Sequence, residues 1–467
     1  MTPPKPPARA ARVSFWQHLR LFRQDILSSQ PAHLFGAKMA EFRTPFFRSY
    51  LVNEPALIRT VLNTRPEDFP KSDRVAEGLR PLLGQSIFVT NGEIWARQRR
   101  IIDPAFEGGR TKDSFPAILA AADGAAARLK PGAHEVEALC AHAAADVIFR
   151  ALFSVPIEDA VAAQVYAAFR RYQRAQPIVN LAAFIPLPRW VPRGYPRAAR
   201  TAATEIRALI AEMCARRQAE IESGTAPEDL ATKIMTTADP ETGARFSTDE
   251  MVDQVAIFFL AGHETSASAL AWALYLLATH PEAQDRVADE AQAFAVAPSF
   301  AALATLPFTR NVFRETLRLY PPVPMMVREA RRDETFRNRA VRRGAQIVVS
   351  PWHLQRHTRL WDDPDAFRPE RWDSATTRQS QRDAYLPFSS GQRVCPGAGF
   401  AIAEGVVLLA AILGTWALAP GNHPPPQPVA HLTLRSKSGI VLDFTERAAG
   451  QRRSAGEATC PVPAPAT

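Results

Sequence analysis

Cysteine is scarce in this sequence and scattered: Cys140, Cys214, Cys395 and Cys460 are the four in 467 residues. They form no C-x-x-C pair and no disulfide-like framework, which points to a reducing compartment and a cytoplasmic protein. A continuous apolar leader is also missing. Ser14-Phe15-Trp16 is followed at once by Gln17, His18 and Arg20, so neither a secretory signal nor a membrane anchor is expected. Internal repeats and Gly/Ser linkers are lacking too, and the expectation is one long body over residues 13–446. Residues 1–12 are basic and Pro-rich, and residues 447–467 are rich in Ala, Pro and Gly. Both carry too little apolar surface to offset their ordering entropy and read as disordered tails. Nucleic-acid motifs are absent, so the net charge of +9 is either a solvated Arg-rich surface or a source of steering toward an acidic partner.

What is present is ordinary globular composition, 46% apolar and 22% charged. Helical periodicity dominates, around 117–129, 135–153, 158–175, 197–222, 249–279, 281–294 and 399–417, with a further helix over Gly92–Ile102. Strand-like runs are short: Phe46–Val52, Gln346–Val349, and Val429–Leu434 with Ile440–Phe444. The last two flank Ser436-Lys437-Ser438-Gly439, which reads as a hairpin turn. The fold class is therefore mainly α with small β-sheets. Val255–Ala278 is long enough to span a bilayer, where about 20 apolar residues suffice. His263, Glu264 and Thr265 sit in its middle, however, and a central acid costs about 2.5–3.5 kcal/mol on insertion. A long helix buried in a protein core fits better.

The sharpest local signal is Phe388-Ser-Ser-Gly391-Gln-Arg393-Val-Cys395-Pro-Gly397. A cysteine there follows a glycine-containing loop and precedes an apolar helix, so helix N–H groups and dipole favour its thiolate. Taken alone, Cys395 would be a buried structural thiol. The complete spacing resembles the signature loop of the cytochrome P450 family. That resemblance implies haem b (iron protoporphyrin IX) with Cys395 as axial ligand, a thiolate that pushes electron density onto the iron. Gly391 is then read as a tight turn near the porphyrin, Phe388 as packing beside the sulfur, and Gly397 as part of the same cradle.

Three further segments resemble the family, in its order, so that the likeness spans about residues 45–445. Trp95 and Arg99, four apart on one predicted helix face, match W-x-x-x-R and imply contacts to haem propionates, as do Arg328 and Arg393. Ala261-Gly262-His263-Glu264-Thr265-Ser266 matches the oxygen-activating segment. Gly262 and Ala261 would leave room for dioxygen, and Glu264 with Thr265 would relay protons. The bland alternative is that Thr265 and Ser266 are satisfied core hydroxyls and Glu264 is salt-bridged. Glu315 and Arg318, completed by Arg371, resemble the family's buried structural ion network.

The activity implied is insertion of one atom of O2 into an apolar fatty-acid, terpenoid or xenobiotic-like molecule, by hydroxylation or epoxidation. Phe88, Phe258, Val323 and Met325 are pocket candidates, with Leu434 or its neighbours, and Val179–Pro196 is a candidate access channel. Electrons would come from a separate ferredoxin or flavodoxin with its reductase, docking on a basic face that includes Arg97, Arg100 and Arg393; the protein itself would be a monomer. Two alternatives remain open at this point, a peroxide-driven peroxygenase and a non-catalytic haem sensor.

Overall fold

The computed structural model describes residues 2–10, 13–43, 48–107, 110–175, 196–375, 377–430 and 432–447. Phe46 and Phe47, the 179–195 part of the candidate channel and residues 448–467 lie outside the described residues. The helices run α1 Phe15–Gln24, α2 Pro55–Arg59, α3 Asp73–Leu83, α4 Gly92–Ile102, α5 Phe115–Ala127, α6 Val136–Phe153 and α7 Ala160–Ala175. Beyond the undescribed stretch come α8 Arg197–Ser223, α9 Leu230–Thr236, α10 Thr248–Ala278, α11 Pro281–Ala295, α12 Pro307–Leu319, α13 Pro351–Leu354, α14 Arg378–Ala384 and α15 Ala398–Thr415.

Local chemistry sets several of these limits. Ser247 and Glu250 close a reciprocal capping box at the start of α10, satisfying two otherwise orphaned donors. Glu135 caps α6 by accepting from the Glu137 and Ala138 amides. Gly224, at φ 72°, ends α8 in the left-handed conformation that glycine adopts without strain.

Four strands, β1 Met39–Arg43, β2 Arg48–Val52, β4 Met326–Glu329 and β7 Gln346–Val349, form a sheet in the order β1-β2-β7-β4. Its β2–β7 pairing is parallel and its outer pairings are antiparallel. A small hairpin, β5 Glu334–Phe336 and β6 Arg339–Val341, projects between β4 and β7. The late hairpin differs from expectation. Pro428–Ala430 (β9) pairs with Leu434–Ser436 (β10), so the reversal falls at 431–433. Val441–Glu446 (β11) pairs instead with Trp416–Ala419 (β8) and Gly132–Glu135 (β3). The Ser436–Gly439 turn does exist, with Gly439 at φ 80°, but it hands the chain from one sheet to another.

Helices α6, α8, α12 and α15 all pack on α10. Between Met251 and Ala278 every α10 residue is buried except Phe258, Ala261, Gly262 and Thr265. Those four are spaced i, i+3, i+4, i+7, one helix face. Among the described helices, α15 alone is long and apolar enough to cross a membrane, and most of it is buried in the core.

Glu315 anchors the most complete buried ion network. Arg318 donates twice to its carboxylate at 2.9 Å and Arg371 Nε once at 2.9 Å, joined by the Arg368 amide at 3.0 Å and Trp372 Nε1 at 3.1 Å. Burial pushes the Glu315 carboxyl up, and the two guanidinium groups outweigh it and hold it below its ordinary value. The N-terminal segment, expected as a tail, is laid along the body beside this network. Tyr320 Oη donates to the Pro4 carbonyl at 2.8 Å, Lys5 pairs with Asp365 at 2.5 Å, and Arg9 Nε donates to the Ser29 carbonyl at 2.6 Å. Hydrogen bonds to defined acceptors, with Pro3 buried, supply what its own apolar content lacks.

Candidate active site

The loop from Phe388 to Gly397 is fixed by its backbone. The Cys395 amide donates to the Phe388 carbonyl at 2.9 Å, and Gly391 bends the chain at φ 70°. A Cβ on Gly391 would meet the Leu62 carbonyl oxygen at 2.2 Å. The glycine is thus required for approach to the 60–64 segment, where the sequence suggested approach to a porphyrin. Arg99 Nη1 donates to the Val394 carbonyl at 2.9 Å, tying α4 to the residue before the cysteine.

The Cys395 side chain has accessible surface although protein surrounds it. Burial pushes its thiol up, and the Gly397 amide and Arg99 only partly oppose that. Helix N–H groups alone therefore do not make a thiolate here; ligation to a cation would, because coordination deprotonates a thiol outright. Cys140 and Cys214 are buried free thiols pushed further up. Among the described residues no three His, Cys, Asp or Glu side chains gather as a metal site, so a metal at Cys395 must bring its other ligands with it.

Beside this loop sits a cluster of cations, one buried and three half-buried. Arg328 is 7% exposed on β4, and among the described residues its side chain bonds the Val327 carbonyl alone, at 3.3 Å. Burial, with Arg393 nearby, lowers its pKa to about 10. Arg393 donates to Asn91 Oδ1 at 2.9 Å and stacks on Trp95 at 4.5 Å, while its buried Nε has no partner among the described atoms. Arg99 joins them but is partly committed, with Nε on Asp103 at 2.8 Å. Arg328 is therefore freer to bind a ligand than Arg99.

Lys71 completes the group and carried no signal in the sequence. Its ammonium donates to the Ile87 and Thr90 carbonyls and lies 5.8 Å from the Trp95 ring. Burial, with Arg393, Arg328 and Arg99, drives its pKa well below the ordinary value. Like charges buried together are costly unless anions neutralise them. The donor set fits a ligand bearing two carboxylates, as haem does.

Along α10, Glu264 and Thr265, expected to relay protons together, have separate partners. Thr265 Oγ1 donates to the Ala261 carbonyl at 2.5 Å on the accessible face. Glu264 is buried off that face, accepting from Thr433 Oγ1 at 2.6 Å and paired with Arg435. Ser266 donates to Glu404 of α15 at 2.6 Å. Consecutive helical residues are about 100° apart, so their side chains diverge. Gly262 also has a different reason: a Cβ would lie 2.5 Å from Ile148 Cδ1, so its small size serves the packing of α6 on α10.

Phe258 packs on Phe106, ring centroids 5.9 Å apart, and Val323 and Met325 are half-buried. Phe88 is 40% exposed. Leu434 is fully buried and contributes its carbonyl to Ser268 at 2.5 Å, so it belongs to the core. The basic face is largely neutralised from within. Arg97 pairs with Glu250 at 2.5 Å, and Arg100 pairs with Asp239 at 2.6 Å, Glu93 at 2.8 Å and Glu241 at 3.2 Å.

The one accessible cysteine among the described residues, beside cations in excess of their anions, fits a haem-thiolate protein, and sequence comparison agrees. The cytochrome P450 family profile matches residues 7–443, and the chain belongs to that family. It is 33% identical to cyclooctat-9-en-7-ol 5-monooxygenase of Streptomyces melanosporofaciens over 84% of each chain. To cyclooctatin synthase of the same organism it is 31% identical, over 87% of this chain and 88% of the relative. The crystal structure of the cytochrome P450DA heme domain superposes with a TM-score of 0.79 over 95% of this chain and 97% of that one, at 24% identity. The protein is thus an oxidoreductase, a P450 monooxygenase with a haem-thiolate iron cofactor that uses O2, a redox partner and an organic substrate.

Proposed function

We propose that the enzyme holds haem b and oxygenates an apolar terpenoid-like molecule, drawing electrons from a separate ferredoxin or flavodoxin. The observation that carries the cofactor is the unneutralised cluster of Lys71, Arg328 and Arg393 beside the only accessible cysteine among the described residues. Cys395 Sγ would ligate the iron, and those cations with Arg99 and Trp95 would hold the carboxylates. When bound, the haem supplies the binding and reductive activation of dioxygen.

The remaining work falls to this chain. Phe88, Phe258, Val323 and Met325 present apolar surface that favours a substrate of low polarity and sheds water. The cyclooctat-9-en-7-ol in the name of one relative is by that name a neutral alkenol, which favours a terpenoid over a fatty acid. Thr265 presents a hydroxyl on the open face of α10, anchored to the Ala261 carbonyl, where it can hold or pass a proton. Glu264 lies off that face, held by Thr433 and Arg435. We read the protein as a cytoplasmic monomer, on its free buried thiols and the absence of a disulfide framework in its sequence.

The reduced, carbon-monoxide-bound spectrum tests this reading. A Soret band at the thiolate position, lost in Cys395→Ser, is expected; a histidine-type band or a haem-free protein would overturn it. A spin-state shift on adding neutral diterpenes but not fatty acids would carry the substrate class, and the reverse pattern would refute it.

A further inference from the structure

Asp253 lies in the first third of α10, 8% exposed, and has no role in the site described above. Its carboxylate joins three distant segments. One oxygen accepts from the Gln85 amide at 2.6 Å, just beyond α3, and the other from Arg207 Nη1 of α8 at 2.7 Å. The same Arg207 nitrogen donates to the Leu82 carbonyl at 3.1 Å. Gly84 stands directly against the carboxylate: at φ 48°, a Cβ there would meet Asp253 Oδ1 at 2.1 Å. The next residue repeats the pattern, as Gln254 Oε1 accepts from the Ile87 amide at 2.9 Å.

The segment so held, residues 84–91, has no regular structure: local turns take the Gly84, Ser86, Val89 and Thr90 amides, and these tethers take the Gln85 and Ile87 amides. Gln98 of α4 donates to the Gln85 carbonyl at 2.6 Å, Lys71 takes the Ile87 and Thr90 carbonyls, and Asn91 bonds Arg393 at 2.9 Å. One end is therefore fastened to the cation cluster and the other to α10 and α8. Phe88 projects from its middle, 40% exposed.

We infer that Asp253 is a specificity-determining positioning residue: with Arg207 it clasps the 84–91 segment to α10 and α8, and so sets how wide a ligand can reach the Thr265 face. Gln254 is the weaker second tether, because a neutral acceptor holds an amide less strongly than a carboxylate does. What enters past the segment rests on the haem reading above; the clasp itself does not.

Two measurements on the full-length holoprotein separate these. Hydrogen–deuterium exchange reads the clasp directly. In Asp253→Asn, and independently in Arg207→Gln, exchange in peptides covering 84–91 should rise at least tenfold, with the helical core of α10 and α15 unchanged. Stopped-flow binding of imidazole and of the bulkier 4-phenylimidazole, followed by the Soret shift, reads access. The 4-phenylimidazole association rate should rise several-fold in both variants, while that of imidazole stays within twofold. Unchanged protection at 84–91, or a rise spread evenly over the chain, would overturn the clasp. Equal acceleration of both azoles would overturn size selection. A protein lacking the thiolate Soret band would remove the haem reading yet leave the exchange result standing.

Discussion

Around Glu315 the buried charges close on one another. Two guanidinium groups, one amide and one indole N–H satisfy the carboxylate, and Arg318 spends its remaining donors on the Gln355, Pro364 and Ala366 carbonyls at 2.7–2.9 Å. Around Lys71 they do not close. Three further cations converge there, and Asp103, paired to Arg99, is the one carboxylate among the described residues bonded to any of them. The two regions also differ in exposure: Glu315 and Arg318 are fully buried, whereas Arg328 is nearly so and Lys71, Arg99 and Arg393 are half-buried. The difference teaches that a satisfied network fixes geometry and asks nothing more, whereas an uncompensated one is completed by something the chain does not encode.

That contrast can be broken by removing one member of each region. Glu315→Ala leaves Arg318 and Arg371 buried without a counter-charge, so unfolding free energy should fall by about 3–5 kcal/mol in denaturant titration; a loss near zero would mean the network is ornamental. The lone acid of α15 supplies a second case. Glu404 is buried, one oxygen has no partner among the described atoms, and burial, opposed only by the Ser266 hydroxyl, raises its pKa to about 8. Between pH 4.5, where the unfolded carboxyl ionises, and about 8, the unfolded state binds fewer protons, so stability falls as pH rises. Glu404→Gln abolishes that slope. It should be more stable than the parent by roughly 2–4 kcal/mol at pH 8 and equal to it near pH 4.5.

In the cation cluster the sign should depend on the ligand. Arg328→Leu removes one buried uncompensated charge, so the haem-free protein should be no less stable. The same change should weaken haem retention about 10–100-fold, the worth of one charged hydrogen bond, measured by haem transfer to apomyoglobin. Loss of stability in both forms would make Arg328 structural. The smallest effect is expected at the neutralised surface. Arg97→Gln or Arg100→Gln should change the rate of reduction by an acidic ferredoxin by less than about fivefold, since each guanidinium is already paired within the chain.

Much of this was legible in the sequence where the signal is local. The helix over Gly92–Ile102 has the limits its sequence predicts, and α6, α8, α10 and α11 agree to within a residue or so, because apolar period, caps and prolines act over single turns. The Ser436–Gly439 turn was also readable, but its partners were not: β11 pairs with strands drawn from residues 132–135 and 416–419, a choice settled by packing. At the site the cysteine loop and the Glu315 network were visible as spaced motifs. Lys71 and Arg435 were not, since an isolated basic residue means nothing until the fold surrounds it. Glu404 did leave a trace, one acid in the most apolar helix of the chain. The divergence of Glu264 from Thr265 is simple helix geometry, and the motif's adjacency in sequence conceals it.

The docked N-terminal segment has a consequence for synthesis. Pro4 finds its partner 316 residues later and Lys5 finds its own 360 residues later. At about 5–20 residues per second on the ribosome, these two residues wait roughly 20–70 s after their own synthesis for the surface that receives them. Proteases and chaperones can meet this segment during that interval, and its docking can serve as a late marker that the body behind it has finished folding.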